Sequence, residues 1–365
     1  MKIRIGVIFG GCSGEHDVSL MSASSILQHL SSEKYEITPI GITREGKWYS
    51  GDDVLGKLKA RRSDGLTPVC MLPEPGNHTL YKIENELHFS PLAELDILFP
   101  VLHGTLGEDG TIQGLLEMNG IAYVGAGVLG SALGMDKAVF KDIMRAYDIP
   151  VAKYMIATRK QIENNLEAVI TQAEAFAPYP LFTKPANLGS SVGISRCANR
   201  SDLLEGIQNA IRYDRKILIE EGINARELEV AVLGNDEPIA SVPAEISPRD
   251  SFYSYNAKYV DGSTAVYIPA DIDAQKTREA QDIAIRVFKA IDCCGLGRVD
   301  FLMDRHSGAL YVSEINTLPG FTHISVYPKV WEQTNISYPQ LIDRLIELAF
   351  EIKAEKDKII HEYDG

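Results

Sequence analysis

Short apolar runs alternate with helical patterns through the first third of the chain. Residues 3–9 are apolar and rich in β-branched side chains, which is typical of a buried parallel strand. A glycine-rich turn follows, and residues 18–30 then show the pattern of a helix. Further strands are predicted at 35–43 and 96–102, the latter followed by a second glycine-rich turn. This order of strand, turn and helix predicts an α/β fold.

The two glycine-rich loops, 10–19 and 103–114, both follow predicted strands. Functional residues of open α/β sheets lie at the carboxyl ends of strands, so we expect the two loops to converge on one crevice. Glu15 and Ser19 in the first loop and His103 in the second are therefore candidate site residues. A carboxylate at this position could hold the ammonium group of a substrate.

The rest of the chain gives a coarser pattern. Residues 51–90 are polar and contain several prolines, which predicts a variable loop region. A helical pattern runs over 127–147, and 151–225 predicts strand, helix, strand, glycine loop, strand, helix and strand. Alternation over 227–233 predicts a half-buried antiparallel strand, and the last helix is predicted at about 338–353.

Residues 295–320 predict a β-hairpin that places charged side chains opposite each other. If its turn centres near residue 307, Asp300 lies opposite Glu314 and Arg298 lies opposite Asn316. Two opposed carboxylates about 5 Å apart repel each other unless a cation lies nearby. An oxygen-only set of two carboxylates and an amide suits Mg²⁺ or Mn²⁺. The alternative is a solvated acidic surface. The opposite, apolar face of the hairpin is predicted to carry Val299, Phe301, Met303, Tyr311 and Ile315.

Two further segments are candidates for binding phosphate and for covering a site. Residues 182–196 combine Lys184, on a predicted strand, with a loop of glycines and serines whose N–H and O–H groups could approach phosphate oxygens. An ordinary surface turn is the alternative for this loop, and Lys137, on a predicted helix, could simply be solvated. Residues 250–270 contain four tyrosines and predict either a lid or an edge strand.

Composition narrows the class of protein. Of the 365 residues, 45% are hydrophobic and 24% charged, which is typical of a folded chain with two or three domains. The formal net charge of −14 argues against nucleic acid as a partner. The five cysteines show no metal-binding spacing, which predicts free thiols. Neither a signal peptide nor an apolar span of membrane length is evident, so we expect a cytoplasmic protein without a membrane partner.

Taken together, these motifs resemble the D-alanine–D-alanine ligase family of ATP-grasp enzymes. The resemblance runs from GGCSGEHDVSL at 10–20 to ISYPQLIDRLIELA at 336–349 and is weakest over 51–90. It implies three α/β domains, with an α+β character in the C-terminal part and ATP between the central and C-terminal domains. The corresponding predicted boundaries are 1–130, 131–225 and 226–365, with a lid at about 248–265.

The resemblance also implies roles for individual residues. Those implied to bind ATP are Lys137, Lys184, Ser191, Glu220, Glu221, Ile223, Glu227 and Lys258. Those implied to bind the amino acids or stabilise the intermediate are Glu15, Ser19, His103, Arg298, Gly320 and Ser325. Two Mg²⁺ or Mn²⁺ ions are implied at Asp300, Glu314 and Asn316, and a hydrogen-bonded set of Glu15, Ser190 and Tyr259 is implied to close the site.

The implied reaction is ATP-dependent joining of two D-alanine molecules through a D-alanyl phosphate, for peptidoglycan synthesis, by a homodimer. Related ligases that make D-alanyl-D-lactate or D-alanyl-D-serine differ mainly in the lid, where Tyr253, Lys258 and Tyr259 match the dipeptide type. Another ATP-grasp carboxylate–amine ligase, a nucleotide-binding regulatory module and a structural protein are the competing hypotheses.

Overall fold

The computed structural model describes residues 1–85, 88–190, 192–247, 265–322 and 324–360. Within these ranges the chain forms three β-sheets with helices packed against them, which confirms the predicted α/β fold class. Each of the three predicted domains contains one of the sheets. All five cysteines are free thiols. None of the described helices combines the length and apolarity needed to cross a bilayer.

The first sheet has eight strands in the order β6-β5-β4-β3-β2-β1-β7-β8. Its strands are β1 (Ile3–Gly10), β2 (Tyr35–Ile42), β3 (Trp48–Ser50), β4 (Thr67–Met71), β5 (Thr79–Asn85), β6 (His88–Glu94), β7 (Ile97–Leu102) and β8 (Ala122–Tyr123). The helices of this part are α1 (His16–His29), α2 (Val54–Lys59) and α3 (Thr111–Asn119). β1 pairs in parallel with both β2 and β7, so the loops that follow β1 and β7 lie at the same edge of the sheet.

The prediction of a loop region over 51–90 is wrong. This segment contains α2 and the antiparallel strands β4, β5 and β6 at the edge of the first sheet. Exposed edge strands carry many polar side chains, so their composition resembles that of a loop. The prolines Pro73 and Pro75 lie between β4 and β5, where they interrupt no pairing.

The second sheet has four antiparallel strands in the order β11-β10-β12-β9. Its strands are β9 (Tyr154–Thr158), β10 (Leu181–Pro185), β11 (Ser195–Cys197) and β12 (Lys216–Glu221), and the helices nearby are α4 (Val128–Met135), α5 (Lys137–Ala146), α6 (Arg159–Phe176) and α7 (Arg200–Ala210). The single helix predicted over 127–147 is divided into α4 and α5. Asp136 has an extended backbone there, and its carboxylate caps α5 by accepting hydrogen bonds from the N–H groups of Ala138 and Val139.

The third sheet has six strands and includes the predicted hairpin. Its strands are β13 (Ala225–Gly234), β14 (Ile239–Ala240), β15 (Ala244–Ser247), β16 (Ala265–Tyr267), β17 (Gly295–Asp304) and β18 (Leu310–Asn316). The accompanying helices are α8 (Ala274–Ala290), α9 (Val326–Gln333) and α10 (Tyr338–Lys356).

The hairpin register is confirmed where the charged residues lie. Asp300 pairs with Glu314, and Arg298 pairs with Asn316. A bulge after Asp300 then shifts the register, so that Phe301 pairs with Val312. The shift makes the predicted apolar position of Tyr311 wrong: Leu310 and Val312 are buried, and Tyr311 is only half-buried.

The prediction of a half-buried strand over 227–233 is wrong. β13, which contains this segment, is buried on both faces. Leu228, Val230 and Val232 pack in the same core as Ala284 and Phe288 of α8. On the opposite face, Ala231 and Leu233 join a core that contains side chains of α9, α10 and β1. The first sheet and the C-terminal helices therefore share one hydrophobic core, which fixes the first two glycine-rich loops relative to the hairpin.

Candidate active site

A cleft of about 420 Å³ lies where the three sheets meet. Its walls contain predicted site residues from four separate segments of the chain. These residues are Glu15, Lys137, Ser190, Arg298, Glu314, Asn316, Gly320 and Ser325. Residues that are remote in sequence and that were assigned to one site thus come together at one cavity.

Glu15 connects the first loop with the glycine loop after β10. It lies at the start of α1, and its carboxylate accepts a hydrogen bond from the Ser190 hydroxyl. A Cβ atom on Gly189 would lie only 2.7 Å from a carboxylate oxygen of Glu15, so the close approach of the two loops requires glycine there. Ser190 itself has a φ of +52°, in the left-handed region. Glu15 and Ser190 are two of the three residues of the predicted closing set. The third, Tyr259, lies outside the described residues.

His103 is 5% exposed and is not part of the cleft wall. Its Nε2 is 3.1 Å from the Ser22 hydroxyl, and its Nδ1 is 3.4 Å from a Glu108 oxygen. Burial lowers the pKa of His103, but the hydrogen bond and charge of Glu108, helped by the charge of Glu15, outweigh it and raise that pKa overall. Glu108, rather than His103, reaches the cleft wall.

Ser19 is fully buried and lies outside the cleft wall. Its hydroxyl accepts a hydrogen bond from the Gly10 N–H at 2.7 Å and donates one to the carbonyl of Val101. The hydroxyl therefore joins the carboxyl ends of β1 and β7. In this position Ser19 shapes the loop that carries Glu15 without facing the cavity.

Of the two lysines predicted to bind phosphates from α5 and β10, Lys137 lines the cleft and Lys184 lies outside its wall. Lys137, at the start of α5, donates a hydrogen bond to the carbonyl of Leu188 at 2.9 Å, and its Nζ lies 3.1 Å from Glu314 Oε2. Lys184, on β10, lies 2.7 Å from Glu220 Oε2 on β12. Both lysines are partly accessible, with 10% and 14% of their side chains exposed.

Behind Lys184 lies a second ammonium group, that of Lys141. Its side chain is 1% exposed, and its Nζ is 3.3 Å from Glu220 Oε1. We call Lys141, Lys184 and Glu220 the buried charge cluster. Burial raises the pKa of Glu220, but the two lysines outweigh it and lower that pKa, whereas burial lowers the pKa of Lys141 against the attraction of Glu220.

Three more of the predicted nucleotide-binding residues lie near the end of β12 and on β13. Glu221 accepts a hydrogen bond from the Lys153 N–H at 2.8 Å. Ile223 is half-buried in the connection between the two strands. Burial lowers the pKa of Lys184, but the charge and hydrogen bond of Glu220 outweigh that effect and raise the pKa overall. Glu227 is close enough to Lys184 for its charge to contribute to this increase.

The hairpin carries acidic and basic groups, of which Arg298 and Glu314 line the cleft, whereas Asp300 lies beside Arg298 outside the cleft wall. Arg298 donates two hydrogen bonds of 2.7 Å to the carboxylate of Asp300, and its Nε also lies 3.2 Å from Glu229. We call Lys137, Glu229, Arg298, Asp300 and Glu314 the cleft charge cluster. Three carboxylates therefore face two cations in this cluster.

The donor chemistry of this wall fits a hard divalent cation. Asp300, Glu314 and the amide oxygen of Asn316 supply only oxygen ligands, and the carboxylates outnumber the nearby cations. Asn316 Oδ1 also accepts a hydrogen bond from the Leu318 N–H at 3.0 Å, which fixes the amide. In the described ranges, no three His, Cys, Asp or Glu side chains are grouped closely enough to hold a metal by themselves.

Gly320 and Ser325 lie at the remaining side of the cleft, before α9. A Cβ atom on Gly320 would lie 2.9 Å from the Ser325 hydroxyl oxygen, so the backbone approaches this hydroxyl closely. The Ser325 oxygen accepts a hydrogen bond from the Thr322 N–H at 3.0 Å. Ser191, Tyr253 and Lys258, and nearly all of the predicted lid, lie outside the described residues.

Sequence reasoning missed Lys141, Glu108 and Glu229. Lys141 follows Lys137 by one helical turn, which places it on the same face of α5. Glu108 is inside the second glycine-rich loop, and Glu229 lies two residues after Glu227 on the same face of a strand. Helical and strand periodicity could have indicated Lys141 and Glu229, starting from Lys137 and Glu227. The position of Glu108 in a candidate loop is the signal that could have indicated it.

Comparison with known proteins agrees with this geometry. The family models described as D-ala D-ala ligase N-terminus and C-terminus match residues 4–126 and 143–347. A D-alanine–D-alanine ligase from Natranaerobius thermophilus is 47% identical over 358 residues, which covers 98% of this chain and 97% of the relative.

Two solved structures share the fold over almost the whole chain. The D-alanine–D-alanine ligase from Coxiella burnetii superimposes with a TM-score of 0.81 at 34% identity, covering 98% of this chain and 96% of the other. A D-Ala:D-Ser ligase from Enterococcus faecalis gives 0.85 at 38% identity, covering 96% and 100%. The predicted ATP-grasp fold is confirmed, and the chain belongs to the D-alanine–D-alanine ligase family.

Proposed function

We propose that this protein joins two D-alanine molecules into D-alanyl-D-alanine with hydrolysis of ATP to ADP and phosphate, for peptidoglycan synthesis. The observation that carries the proposal is the cleft itself. It brings the carboxylate of Glu15, suited to a substrate ammonium group, to one cavity with Lys137 and Arg298, suited to phosphates. The family membership and the high coverage of the relatives support the same reaction.

The reaction has two steps. A carboxylate oxygen of the first D-alanine attacks the γ-phosphorus of ATP, the bond to the β–γ bridging oxygen breaks, and ADP leaves. The amine of the second D-alanine, after losing a proton, attacks the carbonyl carbon of the acyl phosphate. The tetrahedral intermediate then expels phosphate and forms the amide bond.

Charge neutralisation is the main task of the protein in the first step. Lys137 and Lys184 bind the phosphates, and Ser190 and Ser191 in the glycine loop add hydroxyl and N–H donors. Lys258 of the lid is assigned to the γ-phosphate from the sequence. Glu220, Glu221 and Ile223 line the adenine site, and Glu227 binds the ribose.

Asp300, Glu314 and Asn316 would hold two Mg²⁺ or Mn²⁺ ions. When bound, such ions neutralise the charge that develops on the transferred phosphoryl group. Because Arg298 already contacts Asp300, the guanidinium lies beside the proposed metal site. We assign it, together with the Gly320 N–H, to stabilise a second anionic oxygen, that of the tetrahedral intermediate.

The amino-acid substrates occupy the part of the cleft between Glu15 and Ser325. Glu15 binds the ammonium of the first D-alanine, with His103 and Ser19 supporting that loop, and Ser325 binds the carboxylate of the second. Closure of the lid over the set of Glu15, Ser190 and Tyr259 protects the acyl phosphate from water.

The proposal extends to the assembly and location of the protein. We propose a homodimer in the cytoplasm, where ATP and both D-alanine molecules are available. The similarity to a D-Ala:D-Ser ligase makes the second substrate the point that most needs a test. The lid residues Tyr253, Lys258 and Tyr259 resemble the dipeptide type, which supports D-alanine.

The test is release of ADP and phosphate in Mg²⁺ and ATP, with the product identified by mass. D-Alanine alone should support turnover and give D-alanyl-D-alanine, whereas L-alanine should not. D-Alanine mixed with D-serine or D-lactate should still give mainly the D-alanine dipeptide. A Glu314→Gln protein purified in the same way controls for a contaminating ligase. No turnover by folded protein that still binds ATP would overturn the proposal, and a D-serine product would change the second substrate.

A further inference from the structure

The buried charge cluster contains more positive than negative charges. Lys141 and Lys184 contribute two positive charges and Glu220 one negative charge, which leaves a net charge of +1. Glu220 has one lysine on each carboxylate oxygen, at 3.3 Å from Lys141 and 2.7 Å from Lys184. Because a carboxylate can compensate only one ammonium group, the second positive charge has no partner within the cluster and is offset only in part, by the charges of Glu314 and Glu227 that also act on Lys184.

Only one of the two lysines can meet a ligand. Lys184 has 14% of its side chain exposed, whereas Lys141 is 1% exposed and lies between α5 and β12. Without Lys141, Lys184 and Glu220 would form a neutral pair that attracts phosphates weakly. With Lys141 present, Glu220 is already compensated from behind, and the charge on Lys184 acts outward.

We propose that Lys141 is a positioning residue for the phosphates of ATP, which acts by neutralising Glu220 and never contacts the nucleotide. This inference rests on the proposed function, because it takes Lys184 as a phosphate-binding residue. It assigns to a buried side chain the positive charge that the phosphate site uses. The competing explanation is that Lys141 only fills the space between α5 and β12.

The two explanations differ in how the loss of affinity depends on the number of phosphates. Lys141→Met removes the charge and keeps the length of the side chain. Affinity for adenosine should stay within about twofold, whereas affinity for a non-hydrolysable ATP analogue should fall on the order of tenfold to a hundredfold. AMP and ADP should lie between these limits. The four dissociation constants are measured by calorimetry or by competition, in Mg²⁺.

Glu220→Gln provides a test of opposite sign. It removes the negative charge and leaves both lysines, so the ratio of ATP-analogue affinity to adenosine affinity should rise. Because the ratio is compared, any direct effect on the adenine site cancels. This variant also keeps the inference testable if Lys141→Met does not fold.

Two further variants act as controls. Lys141→Arg keeps the charge and should retain most of the discrimination between adenosine and the ATP analogue. Lys34→Met also removes one positive charge, but from a lysine outside both charge clusters whose side chain is 60% exposed and pairs with Asp343. Because solvent screens that charge, its loss should not make the effect depend on phosphate number.

An equal loss for adenosine and for the ATP analogue in Lys141→Met would show a packing role and overturn the inference. An unchanged or smaller ratio in Glu220→Gln would overturn it as well. If the wild-type protein itself fails to bind the ATP analogue, the proposed function fails first. Wild-type binding with no change in either variant contradicts only the role of Lys141.

Discussion

The buried charge cluster and the cleft charge cluster pair acids with bases in different surroundings. In the first, Lys141 and Glu220 have 1% and 3% of their side chains exposed; in the second, Asp300 and Glu314 have 18% and 32% exposed. Removing one partner from a buried pair leaves an uncompensated charge in a medium that solvates it poorly. Partners in an open cluster can be exchanged for water or a ligand at a much lower cost in free energy.

This difference in exposure indicates that the two clusters have different roles. The buried charge cluster is a fixed part of the fold that sets the local potential, whereas the cleft charge cluster is exposed enough to exchange its ion pairs for the proposed substrates and metal ions. Variants of the first should therefore change stability and affinity together. Variants of the second should change turnover and leave the fold intact.

The largest effect is expected from the carboxylates of the hairpin. Asp300→Asn and Glu314→Gln should each lower turnover about a thousandfold or more, because the proposed metal ions would lose a carboxylate ligand and would no longer neutralise the charge on the transferred phosphoryl group. ADP release at saturating substrate measures this loss. The melting temperature should change little, since both side chains are partly exposed. Wild-type turnover in either variant would remove that residue from the metal site.

The next largest effect is a loss of stability in Glu220→Gln. Leaving Lys141 and Lys184 unpaired in the core should lower the free energy of unfolding by about 3–5 kcal/mol at neutral pH. The pKa of Glu220 is lowered in the folded protein, so its stabilising contribution is present above the ordinary glutamate value of 4.5 and is lost as the pH falls below it.

Thermal unfolding of the wild type and of Glu220→Gln, from neutral pH to below about 4.5, measures the difference in stability between the two proteins. The gap between the two melting temperatures should narrow as the pH falls below about 4.5. A gap that stays constant with pH would show that the glutamine is poorly tolerated for its shape, not for its charge.

A smaller effect is expected where the cleft meets the first loop. Glu15→Gln should raise the KM for the first D-alanine about tenfold to a hundredfold, because the substrate ammonium loses a charged partner. The KM for ATP should stay close to the wild-type value. Initial rates with each substrate varied in turn separate the two constants. A change in the KM for ATP alone would show that Glu15 does not bind the first D-alanine.

The smallest effect is expected from an ion pair in neither cluster. Arg62 and Asp64 form a salt bridge of 2.7 Å, but 64% and 62% of their side chains are exposed. Solvent screens such pairs, so Arg62→Ala should leave both the melting temperature and turnover unchanged. A clear loss of stability would show that exposure is a poor guide to the importance of an ion pair in this protein.

Much of the fold follows from local sequence patterns. The strands β1, β2 and β7, the hairpin register at Asp300 and Glu314, and the last helix all agree with the predictions. The failures have a common physical origin. The edge strands within 51–90 resemble loops because they are exposed, and β13 is buried on both faces because helices from remote segments cover it.

The candidate site shows the same limit. Motifs, periodicity and the resemblance together indicated eight residues of the cleft wall, and the resemblance assigned their roles. The exposure of Ser19 and the partners of His103 could not be predicted, because both depend on how the loops pack after the sheets assemble. The bulge that moves Tyr311 off the apolar face likewise has no sign in the sequence pattern.

The sequence alone determined the family, the α/β character and the placement of opposed carboxylates on one hairpin. These properties follow from residue order and from the two- and 3.6-residue periods of the backbone. Only the tertiary structure decided that Glu15 meets Ser190 and that Lys141 compensates Glu220 in the core. Such contacts join segments 79 and 175 residues apart or place a charge at a given depth, and both depend on the packing of whole sheets and helices.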